Sequence, residues 1–320
     1  MTVATAPDAP SAPAGPPPGG GRGPRRHSAL RRTFARHGVP YWLSLIGAAW
    51  LVLLFVVPLV SGLIVSLETG NPDTGYRLTW AWSIYKDIFV HSDVSYSTFL
   101  VRSLVYGAVS TVLTIVIGYP LAYFIAFRVR ARWKSPLLLL VLLSFLVSFV
   151  IRTDMWAFVL ADQGPLLSGL RDLHLVSRGF HVLGTPEAVI GGDTYNDLAF
   201  MVLPIYVALE RVDAKLLEAA GDLYADRRSV FLRCVLPLSR AGIFAGVLLV
   251  FIDTVGDPVN AALLGGTGTY TIGQAIQDAY LTNQQYNVAA ALSTVLMVVL
   301  GVILFVYARV AGTENIEDLV

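Results

Sequence analysis

Glu218/Asp222 and Asp253/Asp257 are pairs of acidic residues at helical spacing. Glu218 and Asp222 are four residues apart in a polar insert between apolar stretches. On a helix they would share one face and repel, which disfavours the helix unless a partner supplies cations. Asp253 stands in Phe251-Ile252-Asp253-Thr254, inside an apolar run, and Asp257 follows in a Gly-Asp-Pro turn. A carboxylate in such a run marks a bundle interior, a water-filled path or a buried ion pair. Arg152 and Asp154, with Trp156 beside them, lie at the end of another apolar run. A cation moving through would need acids or aromatic faces on its route. The structural alternative is that Asp253 pairs with Arg152. For the insert, the alternative is an amphipathic loop packed on its own bundle.

Bond-making chemistry has no carriers here. The sequence contains no G-x-x-x-x-G-K-[ST] phosphate loop and no nucleophile elbow. His27, His37, His91, His174 and His181 are scattered without an H-E-x-x-H pair, and Cys234 is the one cysteine. The basic residues flank apolar runs without interleaved aromatics, so no nucleic-acid partner is expected.

The elements that must position these residues are apolar. Hydrophobic residues make up 55% of the chain and charged residues 14%, well below the usual charged share of about 25%. Runs of about 20 apolar residues can cross a bilayer as helices. Six are read, at about 43–67, 99–127, 136–160, 187–209, 241–255 and 288–310, giving an all-α integral membrane protein with six transmembrane helices. Pro58 should kink the first, and Gly118 and Pro120 should disturb the second. Residues 68–99, with Trp80, Trp82 and Tyr85, are expected to form an exposed loop with an interfacial helix. The basic, Pro/Ala/Gly-rich stretch 1–36 is expected to be disordered, 37–312 to be the six-helix transmembrane domain, and 313–320 a short acidic tail.

Lys and Arg fix the orientation. The 1–36 tail, the 128–135 loop, the 210–240 insert and Arg309 together hold 17 of the 23 Lys and Arg. These segments alternate with spans on one side, so both termini and the 210–240 insert should be cytosolic.

Within the insert, Leu217, Ala220 and Tyr224, with Leu216, Ala219 and Leu223, form an apolar stripe on a short helix. A second short helix is expected at about 229–234, and Pro237 should open the fifth span. Glu218-Ala219-Ala220-Gly221-Asp222-Leu223, then Phe231, then Leu236-Pro237 resembles the EAA loop of ABC-importer permeases. Tyr224 stands where that pattern usually has glycine. The likeness extends over about 40–312 through Gly118-Tyr119-Pro120, Arg152-Thr153, Trp156 and Gln163-Gly164-Pro165. It is most similar to the spermidine/putrescine permease branch of the MetI-like fold.

That resemblance implies half of a translocation pathway for a polyamine or similar small cation. It implies a coupling loop formed by Glu218, Ala219, Ala220, Gly221, Asp222, Leu223, Phe231, Leu236 and Pro237. It also implies two separate ABC ATPase subunits carrying ATP and magnesium, a second permease that is more readily a paralogue than a copy, and an extracytoplasmic solute-binding protein. No cofactor would be bound by this chain, which would sit in lipid of the inner or plasma membrane. Asp253, Asp257, Arg152, Asp154 and Trp156 are the candidate pathway residues. Ferric iron, thiamine, opine and phosphonate permeases look related, and a self-sufficient secondary transporter is the rival class; it would be favoured by internal repeats, and none is evident.

Overall fold

The computed structural model describes residues 47–71, 73–91, 95–177, 179–213 and 226–312. The two tails, Glu218 to Leu223 and Tyr224 lie outside them. The chain divides into two units at Val57 and Pro58.

Helix α1 (Gly47–Ser66) has a mean hydropathy of 2.6 over its most apolar stretch. In the first unit Trp50, Leu54 and Phe55 are exposed. The helical ladder widens just before Pro58, where the Val57 N–H bonds to Val52 O. Proline lacks the N–H for the usual bond and crowds the carbonyl four residues back, and a wide turn is one way to accommodate it.

The second unit opens with an antiparallel hairpin that the all-α expectation did not include. Strands β1 (Glu68–Asn71) and β2 (Gly75–Leu78) pair with Asn71 opposite Gly75. Asn71 Oδ1 accepts from Thr74 N at 2.8 Å, closing the turn. A short helix, α2 (Ser83–Lys86), continues as a wide turn to His91, in the stretch expected to hold an interfacial helix.

Helix α3 (Tyr96–Tyr123) is extended by the wide turn Phe124–Arg128, and the whole is a candidate span of 33 residues. The third apolar run is not one helix. It breaks at Val147, which is extended, and Ser148, into α4 (Ala131–Leu146) and α5 (Phe149–Leu160), and the stretch Phe149–Asp172 is bent by 90° from α4. Helix α6 (Pro165–Asp172) follows. Helix α7 (Pro186–Asn196) starts with Pro186 in its first turn and with Thr185 Oγ1 accepting from Ala188 N, a standard N-terminal arrangement. Helix α8 (Leu198–Glu210) comes directly after it.

Beyond residue 225 the chain forms α9 (Arg228–Leu238), which bends by 63° at Ser239 into α10 (Arg240–Gly256). Pro237 therefore lies inside α9, before the bend, and not at the start of the bent pair α9–α10 that qualifies as one broken span. Helices α11 (Val259–Leu264), α12 (Ile272–Gln277) and α13 (Tyr286–Gly312) complete the chain. Between α11 and α12 the Tyr270 hydroxyl bonds to Asp278. Burial of the phenol, then that carboxylate, pushes Tyr270 above its usual range.

The core is the triangle of α3, α8 and α10. Met201, Val202, Ile205 and Leu209 of α8 are fully buried against Ala122 of α3 and Val250 of α10. Small residues permit the approach. A Cβ on Gly242 would stand 2.5 Å from Pro204 O and 2.6 Å from Ala208 Cβ. One on Gly246 would stand 2.6 Å from Met201 Sδ. Between membrane helices, such close backbone packing substitutes for the hydrophobic driving force that lipid removes. Buried hydroxyls are satisfied within their own helix, as where Thr111 and Thr114 of α3 donate to the Gly107 and Ser110 carbonyls.

Gly242→Leu should therefore destabilise the bundle by about 1–3 kcal/mol, the usual cost of overpacking. Gly301→Ala, at a site with nothing within 4 Å, should be neutral. Thermal melting of the detergent-purified chain, followed by size-exclusion chromatography, separates the two outcomes.

Candidate functional site

Two pairs of carboxylates at helical spacing converge at one end of the core triangle. Asp193 and Asp197 come from the junction of α7 with α8, and Asp253 and Asp257 from the end of α10. An i,i+4 spacing puts both members of a pair on one helix face. Asp193 and Asp197 are each 3% exposed, Asp257 is half-buried and Asp253 exposed. The four lie close enough for their charges to act on one another. No Lys or Arg forms an ion pair with any of them among the described residues.

Amides and hydroxyls hold the cluster instead. Asn260 of α11 donates through Nδ2 to Asp193 Oδ1 at 2.6 Å. Thr254 of α10 donates to Asp197 Oδ2 at 2.8 Å. Asp257 accepts from Val259 N at 2.9 Å and Asn260 N at 3.0 Å, satisfying the first turn of α11. Asn260 Oδ1 accepts from Thr153 Oγ1 of α5 at 2.9 Å and from Asn196 Nδ2 at 3.0 Å. The Asn196 Oδ1 is buried and has no partner. Five helices thus meet in one polar knot. Buried carboxylates cost several kcal/mol each when uncompensated, and the amide and hydroxyl donors of this network offset part of that cost.

The sequence-expected residues separate into two places. Asp253 and Asp257 belong to the cluster. Arg152 does not pair with Asp253; its Nη1 donates to Ser144 O at 2.6 Å across the break between α4 and α5. Its guanidinium lies 5.8 Å from the ring centres of Phe145 and Phe149. Trp156 packs edge-on against Tyr195, with centroids 5.2 Å apart. Asp154 is exposed. Asp197, Thr254, Asn260 and Thr153 were not singled out from sequence as site residues. The available signal was the repeated i,i+4 spacing of Asp193/Asp197 and Asp253/Asp257 in apolar surroundings.

Of the residues expected in a coupling loop, Phe231, Leu236 and Pro237 fall in α9. Phe231 packs edge-on against Tyr119 and Tyr123 of α3, at 5.7 and 5.8 Å. The Tyr119 hydroxyl is 3.0 Å from Ser239 Oγ at the bend into α10. Glu218, Ala219, Ala220, Gly221, Asp222 and Leu223 lie outside the described residues.

Comparison with known proteins fits this architecture. Residues 118–311 match the family described as binding-protein-dependent transport system inner membrane component. The chain is 33% identical over 261 residues to the spermidine/putrescine transport system permease protein PotB of Haemophilus influenzae, covering 82% of this chain and 90% of that protein. The corresponding Escherichia coli protein is 32% identical over 266 residues, covering 83% and 95%. A chain of a bacterial ABC transporter that imports the polysaccharide alginate superposes with a TM-score of 0.68 at 18% identity, covering 90% of this chain and all of that one. A second alginate transporter structure, solved with its ligand-bound periplasmic protein, gives a TM-score of 0.66. The relatives are named as permeases, not enzymes, and the apolar helices make this a membrane protein. Core triangle, broken spans and sequence match together place the chain in the family of binding-protein-dependent transport system inner membrane components.

Proposed function

We propose that this chain is one of two permease subunits of an ABC importer, and that it passes a spermidine- or putrescine-like polyamine. The observation that carries the substrate class is the carboxylate cluster: Asp193, Asp197, Asp253 and Asp257 gather without a Lys or Arg partner among the described residues. An ammonium group is the charge complement of such a site, and the printed names of the PotB relatives support the choice of polyamine. Asp253, exposed at the rim, would meet the substrate first. Asp193 and Asp197 behind it would set the field. Arg152 and Trp156 belong to a separate pocket.

Three helices are long and apolar enough to span, and two bent pairs raise that to five among the described residues. We take α7 with α8 as the sixth span, with both termini on the cytosolic side of the inner membrane. Two ATPase subunits would bind ATP and magnesium, and a solute-binding protein would deliver substrate on the far side. The Glu218 loop would dock on an ATPase. Movement of α9 would then reach α3 through Phe231 and α10 through the bend at Ser239. Substrate and nucleotide can bias the inward and outward states only through unequal contacts in each.

Asp253→Asn should raise the half-saturating concentration for radiolabelled putrescine uptake about tenfold, equivalent to about 1.4 kcal/mol, while Asp253→Glu stays near wild type. Equal uptake by the Asn variant at every concentration, with normal membrane insertion, would remove Asp253 from the pathway. Glu218→Arg should uncouple transport: ATP hydrolysis by the purified complex continues while uptake falls to background. Wild-type uptake in that variant would sink the coupling assignment.

A further inference from the structure

Arg152 is a buried cation with too little around it. It is 8% exposed, it forms no ion pair with any described residue, and its Nε is buried without a partner. One N–H reaches Ser144 O, at the C-terminal end of α4. That end contributes the equivalent of about half a negative charge, which leaves the guanidinium only partly compensated. A buried unpaired charge is costly enough that an additional counter-ion is expected.

A cavity of about 290 Å³ adjoins Arg152, lined also by Ser144, Val147, Met155, Trp156 and Tyr195. Its polar side chains are donors. The indole N–H of Trp156 can only donate, and neither it nor the Tyr195 hydroxyl forms a hydrogen bond with a described residue. Ser144 Oγ already donates to Val141 O. No carboxylate lines the space. A guanidinium, an indole N–H and a phenol around one small cavity form an anion-binding set.

Of the apolar lining, Val147 is 49% and Met155 53% exposed, so the cavity opens to the surface of the chain. We propose that this cavity binds a phosphate group, carried by an anionic phospholipid or free in solution, with Arg152, Trp156 and Tyr195 as donors, at a site separate from the carboxylate cluster.

The test is a thermal melt of the assembled transporter in nanodiscs of phosphatidylcholine alone or with phosphatidylglycerol, with retained lipid read by native mass spectrometry. Wild type should melt roughly 2–4 °C higher with phosphatidylglycerol, the shift a modest bound-state stabilisation gives in a chain of this size, and should retain that lipid. Trp156→Phe and Tyr195→Phe, which keep the rings and remove the donors, should lose most of the shift. Arg152→Gln should lose all of it, and Arg171→Gln should keep it. The Trp156 and Tyr195 variants keep the test valid if Arg152→Gln fails to fold. An equal shift from inorganic phosphate in phosphatidylcholine discs would support the same site with a free anion as its ligand. No shift from either probe would overturn the proposal. So would donor-less variants that respond like wild type, or variants that lose the second permease in neutral lipid, which would make a partner carboxylate the counter-ion.

Discussion

The close approach of α8 to α10 at Gly242 and Gly246 is the constraint on which the remaining geometry rests. With no Cβ at those positions, the Pro204 carbonyl and Met201 side chain come into direct contact with α10. That contact sets the axial register between the two helices. Register in turn decides that Asp197, at the start of α8, meets Thr254 near the end of α10. A shift of one turn, about 5.4 Å, would separate that pair. Packing at one end of the helix pair thus specifies electrostatics at the other.

The polar knot also explains why the helices around it are short. Asn196 ends α7, Asp197 joins it to α8, Asp257 ends α10 and Asn260 lies in α11. Each side chain that supplies the network sits at or near a helix terminus, where backbone groups also lack partners. Asp257 serves both needs, facing the other carboxylates while accepting two backbone N–H groups. Irregular backbone inside a membrane protein is tolerated where protein or a water-filled cavity satisfies it, and here side chains do so.

Much of this was legible in sequence because it depends on amounts and periods. Apolar runs long enough to cross a bilayer gave the helical membrane class. Phe231 and Leu236-Pro237 stood at a spacing that carried the family resemblance. The breaks were less legible. Val147 and Ser148 carry no proline or glycine, so the 90° bend depends on tertiary contacts such as Arg152 reaching back to Ser144 O. The hairpin at 68–78 was hidden because its strands are only four residues each, while its turn residues Asn71 and Gly75 were visible signals. The partners of Asp193 and Asp197 come from α10 and α11, more than 50 residues later in the chain, and side-chain spacing along one helix cannot announce a neighbour that distant.

The bend at Ser239 has a consequence for observing the molecule. Cys234 is the one cysteine among 320 residues, half-buried on the wide turn Phe231–Val235. It lies one turn before the point where α9 gives way to α10, within the segment whose rings pack on α3. A thiol-specific spin label or fluorophore placed there needs no cysteine-free background. The chain therefore carries a native reporter position on the piece of backbone that follows the Glu218 segment, where a displacement of the proposed coupling loop would register.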